Sequence, residues 1–229
     1  MKNPKPKESQ QAFYPFIYPT TGKTPLCREF LVRKFDFLDV YLSRRSTTHL
    51  SGMSFLKLSE VLYYSCKTQY IKEDESGFLL SKRASPSAGA RHPIDILVSP
   101  SPVSGARTLL YYNPTDHSLN ELNIQKEILQ AFFSEVNENV CMNDASLIWF
   151  SIQPGKTSSK YDNSESLIWR DTGALLYCIQ IACTYLGLSS CPLGTLAANT
   201  FYSLFSTDKL IPGGGILIGE LSKEELTGF

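Results

Sequence analysis

The sequence predicts an α+β fold. Two β-branched or aromatic runs, Ile94 to Val98 and Leu147 to Ile152, have the character of buried strands, and segments with helical apolar spacing lie between and around them. No internal repeat is present, so the interleaved strands and helices point to a mixed architecture. A chain of 229 residues, 42% of them hydrophobic, can bury one substantial core. The expected division is an extended N-terminal segment, residues 1–26, followed by a single domain, residues 27–229.

Taken in order, residues 1–26 alternate prolines with Phe13, Tyr14, Phe16 and Tyr18, which favours extended chain. Arg28 to Leu42 places Phe30, Leu31, Phe35, Leu38 and Leu42 near helical spacing, and Leu56 to Cys66 reads as a mostly buried helix. Residues 67–82 are polar and read as an exposed excursion. Thr108 to Tyr112 is a second strand, paired with Ile94 to Val98 through a Pro/Gly/Ser turn. Leu119 to Val136 has helical spacing, and Lys156 to Ser166 reads as a polar connection. Trp169 to Leu188 is a helix apolar nearly all round, to be buried in the core or on a second subunit, with Gly187 suited to end it. Ser189 to Gly194 reads as a tight apolar turn, Leu196 to Phe205 as helix, and Gly213 to Gly215 as a turn before a short strand, Ile216 to Gly219. Ser222 and Glu225 have the spacing of a capping box.

Composition excludes several functions. The 22 basic and 22 acidic side chains cancel, so no nucleic-acid partner is expected. Cys27, Cys66, Cys141, Cys178, Cys183 and Cys191 lack metal-binding spacing and read as reduced core thiols, with no metal expected. No signal peptide or membrane span is evident, so the expected location is the cytoplasm. His49, His92 and His117 lie in separate loops and read as solvated side chains. The glycine run lacks the Lys-Ser/Thr of a phosphate loop.

Three segments retain chemical interest. Arg83 to Pro93 (RASPSAGARHP) is a small-sided loop, restricted by Pro86 and Pro93, whose backbone can approach a flat ligand. Arg44, Arg45, Ser46, Thr47 and Thr48 combine guanidiniums and hydroxyls suited to a phosphate. Lys160 and Tyr161 stand just before the apolar helix, where a desolvated lysine can serve as a base.

Together these blocks resemble the nitroreductase superfamily, and within it the SagB-type azoline dehydrogenases. Arg44 to Thr48 resembles the phosphate motif, Pro86 to Pro93 the PSGGALYP-like loop beside the flavin ring, Lys160-Tyr161 the catalytic pair, and Thr172 through Cys191 the buried helix and following turn. The resemblance covers roughly residues 40–220. It implies a central mixed or antiparallel sheet flanked by helices, with FMN at a homodimer interface. Implied contacts to FMN are Arg44, Arg45, Ser46 and Thr48 at the phosphate, then Ser85, Pro86, Ser87, Ala88 and Gly89, and Cys191, Pro192, Leu193 and Gly194. The implied reaction aromatises a thiazoline or oxazoline in a peptide natural product, with Lys160 as base and Tyr161 assisting. A cyclodehydratase or assembly-line enzyme is the implied partner. The same fold also serves NAD(P)H-dependent nitro or quinone reductases and cyclic dipeptide oxidases, and a flavin-free scaffold is a third reading. Two positions depart from the family: Thr48 and Glu220 stand where cations are common, and Lys82, Arg83 or Arg170 are the expected substitutes.

Overall fold

The computed structural model describes residues 2–103, 105–138 and 140–222. In chain order the strands are β1 (Lys5–Pro6), β2 (Thr20–Pro25), β3 (Leu50–Ser51), β4 (Tyr70–Glu73), β5 (Leu79–Lys82), β6 (Ile94–Ser99), β7 (Leu110–Asn113), β8 (Ser118–Leu122), β9 (Ser146–Ile152), β10 (Tyr161–Asp162), β11 (Ser189–Leu193) and β12 (Ile211–Leu221). The helices are α1 (Phe37–Ser43), α2 (Phe55–Ser65), α3 (Lys126–Asn137), α4 (Pro154–Ser158), α5 (Glu165–Tyr185) and α6 (Ala198–Phe205).

An antiparallel sheet in the order β11-β12-β9-β6-β7-β8-β2 forms the centre, with β3 paired to the end of β12. Side chains alternate across it as a pleated strand requires. Ile94, Ile96 and Val98 of β6 join Ile148, Phe150 and Ile152 of β9 in one layer with α2 and α5. Leu97, Leu147, Trp149 and Leu217 face the other layer, with α3 and α6. Because both faces are covered, β6 and β9 are buried along their whole length, and the two runs read as strands in the sequence are the middle of the sheet.

Several expectations change. The helix expected from Arg28 forms only over Phe37–Ser43, started by the Asp36 carboxylate, which accepts from Leu38 N at 2.8 Å. Ahead of it the chain is tethered across the end of α5. Arg33 N donates to the Tyr185 hydroxyl at 3.1 Å, and the Arg33 guanidinium donates to Leu186 O at 3.1 Å. Leu31 and Leu42 are therefore 90% and 75% exposed despite their periodic spacing. The first turn of the helix expected from Leu119 is instead β8. The Asn113 side chain accepts from Thr115 N and Asp116 N, closing a tight turn that pairs β8 with β7.

Residues 67–82 contain a hairpin of β4 and β5 outside the main sheet, and residues 156–166 contain the end of α4 and β10. Ser189–Leu193 is strand and not turn. Pro192 is tolerated because β11 is the last strand of the sheet path, where a missing N–H breaks no central ladder. The glycine run also lies inside a strand, β12, at a register shift between Pro212 and Gly215. A methyl on Gly215 would lie 2.7 Å from Ile148 O, so close backbone approach, not a turn, requires glycine there. Gly187 (φ +68°) ends α5 as expected. Only one face of α5 is buried within the chain; Trp169 and Tyr177 are each 39% exposed. The capping box at Ser222 and Glu225 extends outside the described residues.

The tightest approach in the sheet is at Gly219, where an added Cβ would meet Ser51 O at 2.1 Å. Gly219→Ala should push β3 off β12 and cost about 1–3 kcal/mol, the range for overpacking. Urea unfolding will measure this, and an unchanged midpoint would mean the β3 contact is not maintained in solution.

Candidate cofactor and active site

The loop from Ser85 to Pro93 carries unusual backbone. Gly89, Ala90 and His92 all have positive φ, at +62°, +56° and +43°, a conformation costly for the two non-glycine residues. Hydrogen bonds hold it there. Asp171 of α5 accepts from Ser87 Oγ at 2.6 Å and from Ala88 N at 3.1 Å, and Ser87 Oγ accepts from His92 N at 2.8 Å. Burial raises the Asp171 carboxyl pKa despite the bonds from Ser87 and Ala88 that favour its charged form.

Lys160 and Tyr161 arrive at the same loop from another part of the chain. The end of α4 turns Lys160 back through a bond from Lys160 N to Thr157 O at 3.1 Å, and β1 pairs with β10 on the outside. A methyl on Gly89 would lie 2.9 Å from the Tyr161 hydroxyl and 3.2 Å from Lys160 Nζ. The missing side chain of Gly89 is therefore what lets the pair close on the loop.

The Arg44 to Thr48 block stands at the other end of α5. Ser46 bridges to Ser190 of β11, Thr47 N donates to Ser190 O at 3.1 Å, and Gln180 Nε2 donates to Ser46 Oγ at 3.1 Å. Arg44 lies 3.4 Å from Ser46 Oγ, while Arg45 and Thr48 are exposed. Pro192, Leu193 and Gly194 continue from this contact, but the Cys191 thiol packs into the α3 and α6 layer. Asp171 and Gln180 are nine residues apart on α5, so the loop and the Ser46 block are separated by about 13 Å along the helix.

Between α1 and α5 lies a cavity of about 550 Å³ walled by Phe37, Tyr41, Tyr64, Tyr177 and Tyr185, with Ala84 at its loop end. Arg44 acts electrostatically on Tyr177 at the same cavity. The cavity's own walls are apolar and aromatic and include none of Arg44, Ser46, Lys160 or Tyr161. The donors of the Arg44 to Thr48 block and the bare backbone turn at Gly89, met along the same helix, are of the kinds that suit an anionic tail and a flat ring, as FMN has. The departure at Glu220 is partly offset, because Lys57 pairs with its carboxylate at 2.8 Å. The expected substitutes lie elsewhere. Arg170 folds back on Ser166 at 2.9 and 3.0 Å, and Lys82 and Arg83 line a separate cavity beside Ser85 and Ser87.

No protein-family model matches the chain, and a search of curated proteins finds no match. Solved structures do match. A protein of Ralstonia eutropha described as a candidate nitroreductase superposes with a TM-score of 0.66 at 18% identity, covering 97% of this chain and all of that one. The fold is that of the nitroreductases. A nitroreductase family protein of Clostridium difficile gives a TM-score of 0.52 at 18% identity, covering 82% of this chain and 86% of that one. The Escherichia coli microcin synthetase McbBCD complex with truncated pro-MccB17 bound gives 0.62 at 13% identity, covering 87% and 79%.

Within this nitroreductase fold, sequence reasoning missed the groups that position the loop. Asp171 stands inside the helix read from Trp169 to Leu188, and a carboxylate in its first turn was the available signal. Asp95, inside an apolar strand, was another. It accepts from Lys156 at 2.6 Å, from the Tyr18 hydroxyl at 3.2 Å and from Gln153, anchoring α4 just ahead of Lys160. Arg91 is buried and pairs with Asp74 at 3.0 Å. His92 and His117 are likewise buried, contrary to their solvated reading. His92 Nε2 is 2.9 Å from Ser81 O, and His117 lies 2.8 Å from the Tyr112 hydroxyl and 2.9 Å from Cys27 O. His92 is covered by β5 and His117 by α2 and the chain at Cys27, segments outside either loop.

Burial pushes the His92 pKa down to about 3 and that of His117 to about 4. Above the unfolded value of about 6.5 neither ring is protonated in either state; as pH falls from there toward 4, the unfolded chain binds protons that the native one refuses. Stability should therefore drop through that window, by up to about 1.4 kcal/mol per pH unit for each ring. Urea titrations at several pH values will read the slope, and a His92→Gln variant should show a shallower one than the parent.

Proposed function

We propose that this chain is an FMN-dependent dehydrogenase that aromatises thiazoline or oxazoline rings in a peptide, with Lys160 as the base. The observation that carries the reading is the closure of Lys160 and Tyr161 on Gly89, which joins the candidate proton-transfer pair to the loop suited to a flat ring. The fold shared with nitroreductases and with the microcin synthetase complex supports it.

In this reading Arg44 and Ser46 would hold the phosphate, with Arg45 and Thr48 beside them, and the main chain of Ser85, Pro86, Ser87, Ala88 and Gly89 would take the ring system. The main chain of Cys191, Pro192, Leu193 and Gly194 would border the tail. FMN, when bound, supplies the acceptor for a hydride. Lys160 Nζ takes the proton lost from the azoline carbon, and the Tyr161 hydroxyl hydrogen-bonds the substrate and holds it in reach of that amine. The Asp171 contacts keep the loop from collapsing into this space.

A second copy of the chain completes the site. Phe35, Phe37, Leu38 and Leu42 are exposed around α1, and Trp169 and Tyr177 on the outer face of α5. An apolar surface of that kind is the expected footprint of a homodimer interface. The peptide arrives from a cyclodehydratase or assembly-line enzyme in the cytoplasm. The reductase reading is favoured by the solved structures described as nitroreductases. Rapid bleaching of the flavin by NADPH would select it.

The purified protein should be yellow and release FMN on denaturation, and Arg44→Ala should weaken FMN binding at least tenfold by fluorescence titration. A colourless protein that takes up no added FMN removes the proposal and leaves a scaffold role. Lys160→Ala should stay yellow yet lose about 100-fold or more of the two-hydrogen removal from an azoline peptide, followed by mass spectrometry. Full activity in that variant would assign the base elsewhere.

A further inference from the structure

The β4 and β5 hairpin and the start of the loop enclose a cavity of about 300 Å³, which meets the assigned site only at Ser85, Pro86 and Ser87 and whose cations that site does not use. Three cations line it, Lys72, Lys82 and Arg83, together with Ser85 and Ser87, and no carboxylate is among its walls. Arg83 is the informative member. Its Nε is buried without a hydrogen-bond partner, and among the described residues no hydrogen bond or ion pair reaches its guanidinium. Asp95 acts on it from a distance, but that carboxylate is engaged by Lys156 at 2.6 Å. Asp171, beyond Ser87, is taken up by Ser87 and Ala88.

Arg83 is half-buried, and its Nε is a donor shut off from solvent with no acceptor, which is unfavourable to the folded chain unless something outside the chain completes the guanidinium. The cavity is also placed for a substrate. Ala90 lines it, while the open side of Gly89 in the same turn faces Lys160 and Tyr161. A peptide whose ring lies at Lys160 can therefore reach the cavity within a residue or two.

We propose that Arg83, with Lys72 and Lys82 at the mouth, is a subsite for a carboxylate of an acidic peptide substrate, bound across the Ala88–Ala90 turn from the reacting ring. The proposal deepens the azoline dehydrogenase reading and rests on it for the identity of the peptide. The guanidinium fork suits a carboxylate bidentately, and the Ser85 and Ser87 hydroxyls border the same space. The phosphate of FMN is assigned to the other end of α5, so this cluster serves a different anion.

Calorimetric titration of the full chain with an end-capped peptide containing two glutamates, and with its glutamine counterpart, tests this without needing turnover. The glutamate peptide should bind at least tenfold more tightly, and Arg83→Met should abolish that preference while leaving FMN uptake unchanged. The same variant should melt no lower than the parent, because it removes a buried unpartnered Nε and one of three cations gathered around the same cavity. A Lys82→Gln variant should lose only a few-fold, as a solvated cation at the mouth. Equal binding of the two peptides, a lowered melting temperature in Arg83→Met, or a loss of FMN uptake in that variant would each overturn the assignment. Tighter Arg83-dependent binding of inorganic phosphate than of the glutamate peptide would overturn it in favour of a phosphate site. Should the parent bind no FMN, the dehydrogenase reading fails while the peptide preference is still decided by the titration.

Discussion

The carboxylate of Asp171 ties the Ser85 to Pro93 loop to helix α5, and the candidate site depends on that tie. It projects from α5 into the bend of the Ser85 to Pro93 loop and accepts from Ser87 and Ala88, so that three positive-φ residues in that loop stay in place. Desolvating a carboxylate is unfavourable, and here its hydrogen bonds offset that cost only in part, since its pKa is raised. The strained backbone it supports leaves Gly89 open toward Lys160 and Tyr161. The same helix meets Ser46 through Gln180, which makes α5 the common frame for both ends of the site.

Around the end of β6 the polar groups are unusually well buried. Asp95 is satisfied by Lys156, Gln153 and Tyr18; Arg91 by Asp74; His92 stays neutral against Ser81 O. Each of these holds a segment of irregular chain against the sheet, where no ladder of backbone bonds is available to do so. Arg83 lacks such a partner, and that contrast separates it from its neighbours.

The outer surface of α1 and α5 follows a different rule. Its apolar side chains are not collected into the core of this chain, although the sequence spacing marks them as a face to be buried. The residues ahead of α1 are committed to the end of α5 through Arg33 and Tyr185, which fixes where that apolar surface is presented.

Read by itself, the chain determined the mixed fold, the central strands β6 and β9, the helices α2 and α5, and the three segments proposed for the site, of which the Lys160-Tyr161 pair and the Ser85 to Pro93 loop meet. These are signalled by local pattern: β-branched runs, helical periodicity, and small or charged residues between them. Only the tertiary structure decided that Ser118–Leu122 and Ser189–Leu193 are strands, because pairing with β7 and β12 supplies backbone bonds that their own spacing does not announce. It alone brought Lys160 to Gly89 and buried Arg91, His92 and His117. The burial of a polar side chain depends on what folds over it from distant parts of the chain, and no local pattern carries that information.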